Sequence, residues 1–110
     1  MAQIRVGGTC NVQNPGALTF FFETSVGRKG LAQVVELRDF SVNSFVPVDG
    51  RIAPTIDLGI QVHIAVNAAD YLGPNGELEA RLTWVAINDA DPAQDGWLHC
   101  IDASAWSFEA

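Results

Sequence analysis

Residues 56–66 read Ile-Asp-Leu-Gly-Ile-Gln-Val-His-Ile-Ala-Val. Strict alternation puts Ile56, Leu58, Ile60, Val62, Ile64 and Val66 on one side of an extended chain. Asp57, Gly59, Gln61, His63 and Ala65 fall on the other. A period of two belongs to a half-buried strand, because in a helix the same residues would be spread around the axis. At ~3.3 Å per residue the run extends ~36 Å. A compact chain of this length has a radius of gyration of ~13 Å and so a diameter of ~34 Å. The run therefore predicts a strand that crosses the whole domain, with Gly59 as its natural bend. Burying its six aliphatics contributes roughly 9–18 kcal/mol before chain entropy is subtracted.

A second run, 77–87, sets Leu78, Ala80, Leu82, Trp84 and Ala86 against Glu77, Glu79, Arg81 and Thr83. Between the two runs, Gly73-Pro74-Asn75-Gly76 has reverse-turn composition, which predicts a long antiparallel hairpin with a wide loop at 68–76. Ala17 to Val26 reads as a strand with Leu18, Phe20, Phe22 and Val26 inward, followed by a turn at Gly27-Arg28-Lys29-Gly30. Leu31 to Phe45 admits either a helix or a strand over Leu31 to Leu37. Its β-branched Val34-Val35 favours strand, and the change of phase between Leu37 and Phe40 predicts a bulge at Arg38-Asp39. Residues 3–12 and 97–108 supply the remaining strands. Six to seven strands without a confident long helix predict one antiparallel β-sandwich over residues 1–110, or failing that a small barrel.

The 110 residues are 48% hydrophobic and carry a net charge of −7. That much apolar surface builds a core, which sets aside intrinsic disorder. Acidity argues against nucleic acid and anionic membranes as partners, since both demand a basic footprint. The charge is uneven: residues 1–51 sum to +1 and residues 52–110 to −8. It reads either as a solubility surface or as an acidic face that meets a basic one on a neighbouring subunit. No apolar run is long enough for a membrane span, and residues 1–5 do not resemble a secretory signal. The expected setting is therefore cytoplasmic synthesis, with incorporation into a particle as one destination. In a reducing compartment Cys10 and Cys100 are expected as free thiols.

Sites of chemistry are scarce. His99 is adjacent to Cys100, and neighbours on a strand point to opposite faces, so the pair does not make a nucleophile and its base. Asn88, Asp89, Asp91 and Asp95 offer oxygen ligands, but Ala93 and Gln94 stand where a calcium loop needs a ligand and a glycine. Neither a metal nor a cofactor is expected. Gly27-Arg28-Lys29-Gly30 lacks a phosphate-loop pattern and reads as a solvated tip.

The apolar residues on the wrong face carry more weight. Phe21 opposes Phe20 and Phe22, Val85 and Ile87 oppose Trp84 and Ala86, and the final strand has Trp97, His99 and Ile101 on one side and Leu98, Cys100, Trp106 and Phe108 on the other. Strands of a sandwich bury one face, so these residues ask for a second cover. The expected function is a non-enzymatic structural or assembly subunit that forms homo-oligomers through Phe21, Val85, Ile87, Trp97 and Ile101. By analogy with small β assembly modules, it is a candidate component of a virion or similar particle. The competing expectation is a small-molecule or carbohydrate-binding β domain using Trp97, His99 and His63, because indoles stack on sugar rings.

Millimolar Ca²⁺ should leave the melting temperature unchanged. Saturable stabilisation that disappears in Asp91→Ala would mean that the 88–95 segment is a cation site.

Overall fold

The computed structural model describes residues 2–12, 14–27, 30–56, 58–86 and 99–109, with backbone alone for residues 2, 86 and 99–103. Seven strands make up the fold: β1 (Ala2–Thr9), β2 (Ala17–Val26), β3 (Leu31–Asp39), β4 (Ser44–Ile52), β5 (Leu58–Ile64), β6 (Glu77–Ala86) and β7 (His99–Glu109). They form two antiparallel sheets, a four-stranded one in the order β1-β6-β3-β4 and a three-stranded one in the order β5-β2-β7. The expected β-sandwich is therefore present, and the two sheets are open rather than closed into a barrel. A short 3-10 turn, Ala68–Tyr71, is the helical element among the described residues.

Alternation along β2 and β3 produces the core. Leu18, Phe20, Phe22 and Val26 point inward from β2, and Leu31, Val35 and Leu37 from β3. Leu78, Ala80, Leu82 and Trp84 face them from β6. Phe20 and Phe22 have ring centroids 5.3 Å apart, and Trp106 of β7 tilts against Phe20 at 4.4 Å. Gln33 is the large polar residue in this interior; its carbonyl accepts the Trp84 indole N–H at 2.8 Å. The two residues are direct cross-strand partners, so the bond pins the β3–β6 register.

Three local expectations are overturned. The 56–66 and 77–87 runs are not a hairpin: β5 pairs with β2, whereas β6 pairs with β1 and β3 in the other sheet. The 68–76 segment is thus a crossover between layers, and turn-like composition cannot tell a crossover from a hairpin. The 56–66 strand is shorter than its pattern. Only Leu58–Ile64 is strand, Ile60 and Val62 are its fully buried members, and Ile56 and Val66 are each 74% exposed. Finally, the phase change near Arg38 marks a chain reversal at 40–43 that opens β4, while the register shift lies between Val35 and Glu36. The helical option for Leu31 to Leu37 is settled as strand, since its alternate residues are buried.

Two glycines are fixed by close approach. Gly76 has φ +77°, and its carbonyl accepts the Cys10 N–H at 2.7 Å; a Cβ there would lie 2.3 Å from the Cys10 carbonyl oxygen. Gly8 faces inward from β1, and a Cβ on it would lie 2.6 Å from the Trp106 ring. Bare backbone at Gly8 lets the indole close the side of the sandwich where β1 and β7 meet.

Gly8→Val should therefore destabilise by about 1–3 kcal/mol through overpacking and shift the tryptophan emission. Gly7→Ala, whose nearest neighbour would be 3.8 Å away, should cost less than half as much in the same denaturant titration.

Candidate functional site

The outer face of the four-stranded sheet carries a connected group of charged side chains. Arg5 of β1 lies directly opposite Arg81 of β6, which lies opposite Glu36 of β3. Arg81 donates two hydrogen bonds to the Glu36 carboxylate, at 3.0 and 3.1 Å. Those bonds raise the Arg81 pKa above its ordinary value, with the Glu36 and Glu79 charges adding to them against the cost of burial. Glu79 in turn accepts from Arg38 at 3.2 Å and from Arg5 at 3.4 Å. The Phe45 ring lies beneath two guanidinium groups, 4.2 Å from that of Arg81 and 5.5 Å from that of Arg5. The like-charged Arg5–Arg81 pair is held by two carboxylates and one aromatic face. Each carboxylate is matched by a cation, and Glu79 is shared between Arg5 and Arg38, so the three arginines and two glutamates leave one positive charge in excess. In partly exposed positions such pairs are worth about 0.2–1 kcal/mol each.

Beyond the charged rows, the same outer face turns apolar at one end. Val85 of β6 is directly opposite Ala32 of β3, which is directly opposite Ile52 of β4. Directly opposed residues project to the same side, so the three form one row across the sheet. Val85 is 42% exposed and Ile52 62%. Ile56 and Leu58, both exposed, follow in the chain after Ile52.

The other expected interface residues are scattered. Phe21 is half-buried on the outer face of the three-stranded sheet, the side of the molecule away from Val85. Its ring lies over Gly59, where a Cβ would come within 3.0 Å, so bare glycine backbone accounts for part of its cover. Sheets stack ~10 Å apart, which prevents Phe21 and Val85 from sharing one patch. Ile101 is paired with Thr24 along the β2–β7 ladder. Ile87 and Trp97 lie outside the described residues, as do the 88–95 segment and the Arg28-Lys29 tip.

The histidines do not converge. His63 is exposed on β5 and bonded to its cross-strand partner, the Thr19 hydroxyl, at 2.8 Å. His99 is paired with Val26, and Cys100 with Ser25, at the far end of β2. Seven residues of strand separate Thr19 from Val26, or ~23 Å. That distance keeps His63 from Cys100, and it keeps His63 and His99 from holding one small ligand together.

A cleft of about 490 Å³ opens between the 10–14 and 72–76 segments. Its edges carry Asn11, Asn14 and Asn75, and among the described residues no histidine, carboxylate or amine lines it. Cys10, 8% exposed, is a free thiol at its base. The Val12 N–H donates to its sulfur at 3.4 Å, and the thiol donates back to the Val12 carbonyl. Nearby Tyr71 has its pKa raised, first by burial and then by the charges of Asp39 and Asp70. Among the described residues there is no cluster of three metal-ligating side chains, and no helix is long and apolar enough to cross a membrane.

Ala32 and Ile52 escape detection in the sequence because Pro47 and Gly50 mask β4 as a strand. Without β4 there is no row to complete. Comparison of the chain with protein-family models, with curated proteins and with solved structures finds no match.

In a Cys100→Ser background, Cys10 should resist a thiol reagent in the folded protein and react fully in denaturant. Fast reaction of the native state would mean that the cleft admits reagents to the sulfur.

Proposed function

We propose that this protein is a non-enzymatic structural subunit that associates with copies of itself through the outer face of its four-stranded sheet. The observation that carries this is the row Val85–Ala32–Ile52, three apolar side chains in direct cross-strand register, with Val85 and Ile52 exposed and Ala32 half-buried between them. Leaving an aliphatic exposed forgoes roughly 1.5–3 kcal/mol of burial. One such residue needs no explanation, whereas a row spanning three strands is the pattern of a contact surface. Past the intervening row Gln3–Thr83–Val34–Gly50, the charged rows give it a polar margin on one side, since Arg5, Arg38, Arg81, Glu36 and Glu79 pair with one another. Apolar contact residues bordered by polar ones are common in protein–protein interfaces. The same face of a second copy is the simplest occupant, because a two-fold axis makes a single patch self-complementary.

Sedimentation of the wild type at micromolar concentration should reveal an oligomer. Val85→Asp and Ile52→Asp should each reduce its size by weakening association at least tenfold, with circular dichroism unchanged. Phe21→Asp, on the opposite face, should leave the assembly intact. A wild type that stays monomeric at high concentration would refute the proposal.

A further inference from the structure

We infer that a second, separate contact exists: the free edge of β5 pairs antiparallel with β5 of another copy, centred on Gln61. This rests on the self-association proposed above and adds to it a different element of the molecule. Among the described residues the sandwich has four sheet edges, namely β1 and β4 in one sheet and β5 and β7 in the other. An edge presents a row of unpaired N–H and C=O groups, and proteins that stay apart blunt it with charge, proline or a bulge. β4 has all three: Pro47, the register shift opposite Val35 and Glu36, and the bonded Asp49–Arg51 pair. β1 carries Arg5, and β7 carries Asp102 and Glu109. β5, Leu-Gly-Ile-Gln-Val-His-Ile, has no proline, acid, lysine or arginine, and its ladder with β2 runs without a shift.

The occupant follows from the symmetry of that sequence. About Gln61, the neighbours on either side are Ile60 and Val62, then Gly59 and His63, then Leu58 and Ile64. A two-fold axis through Gln61 would set Ile60 opposite the second copy's Val62 and Leu58 opposite its Ile64, all on the inner face. On the outer face, His63 would stand over the second copy's bare Gly59, and the two Gln61 amides would meet. Every opposed pair matches in polarity, and no like charges meet. A one-residue slip would oppose aliphatics to Gln61 and His63, so the register is specified. Leu58, 44% exposed at the end of the buried row, would gain the second copy's Ile64 as cover. Two independent two-fold contacts on one subunit link copies into chains or closed rings, so the assembly must exceed a dimer.

The test compares four proteins by sedimentation: wild type, Gln61→Lys, Val85→Asp and the double variant. Gln61 and Val85 are both exposed, and circular dichroism checks each fold. The expected species are an assembly larger than a dimer for the wild type, dimers for each single variant and monomers for the double. Directly opposed Cα atoms lie about 4.5–5.5 Å apart, within disulfide range. Gln61→Cys in a Cys100→Ser background should therefore give a reductant-sensitive covalent dimer on oxidation, and Ser107→Cys on the opposite edge should not. If Val85→Asp alone yields monomers, or Gln61→Lys changes nothing and position 61 does not cross-link, edge pairing is wrong and face association stands. A monomeric wild type overturns both.

Discussion

Trp84 donates its indole N–H to Gln33 at 2.8 Å in the middle of a largely aliphatic and aromatic interior. A fully buried indole needs an acceptor, and an unmade bond at such a site costs about 1–3 kcal/mol. The acceptor arrives because β3 and β6 pair with Gln33 directly opposite Trp84. A slip of one residue would turn the whole inward set of one strand to water. β3 and β6 are the two central strands of the four-stranded sheet, so β1 and β4 inherit their placement from this pairing. The second sheet then packs Phe20 and Phe22 over the same core.

That arrangement also decides which side chains remain outside. Once Trp84 is inward, Thr83 and Val85 must be outward, and the ladder carries Ala32 and Ile52 to the same side as Val85. The exposed apolar row is thus the geometric consequence of the buried one. The charged network behaves likewise, with Arg81 facing out because Ala80 and Leu82 face in. Its three arginines are paired with Glu36 and a shared Glu79 and laid over Phe45 and Phe40. Surface chemistry of this kind supports the sheet without creating a reactive centre.

The four sheet edges differ in how they meet water. Pro47, the bulge and the Asp49–Arg51 pair make β4 a poor template, and the Asp49 bonds hold the Arg51 pKa above its ordinary value. β5 has no comparable device, although it belongs to the smaller sheet and carries exposed Gly59, Gln61 and His63. Sequence alternation and edge position together make it a template for another strand. Neither feature would do so alone, because the same alternation in a central strand is simply paired on both sides.

Alternation by itself determined that this chain is β-rich, which residues of β2 and β6 point inward, and that Phe21 and Val85 point outward. These are properties of a single strand, set by the pleat, and they need no partner to be legible. Pairing was not legible: the 56–66 and 77–87 runs look like the arms of one hairpin, yet they lie in different sheets. Turn residues encode a local change of direction, while the choice between hairpin and crossover depends on which distant strands bury the greater area. β4 was hidden for the converse reason, since an edge strand tolerates the proline and glycine that would exclude it from the centre. Only the tertiary structure could separate Phe21 from Val85, remove His63 from His99 and Cys100, and assemble Val85, Ala32 and Ile52 into one row. Those relations join residues far apart in the chain, and they exist only once the ladders have fixed which strands are neighbours.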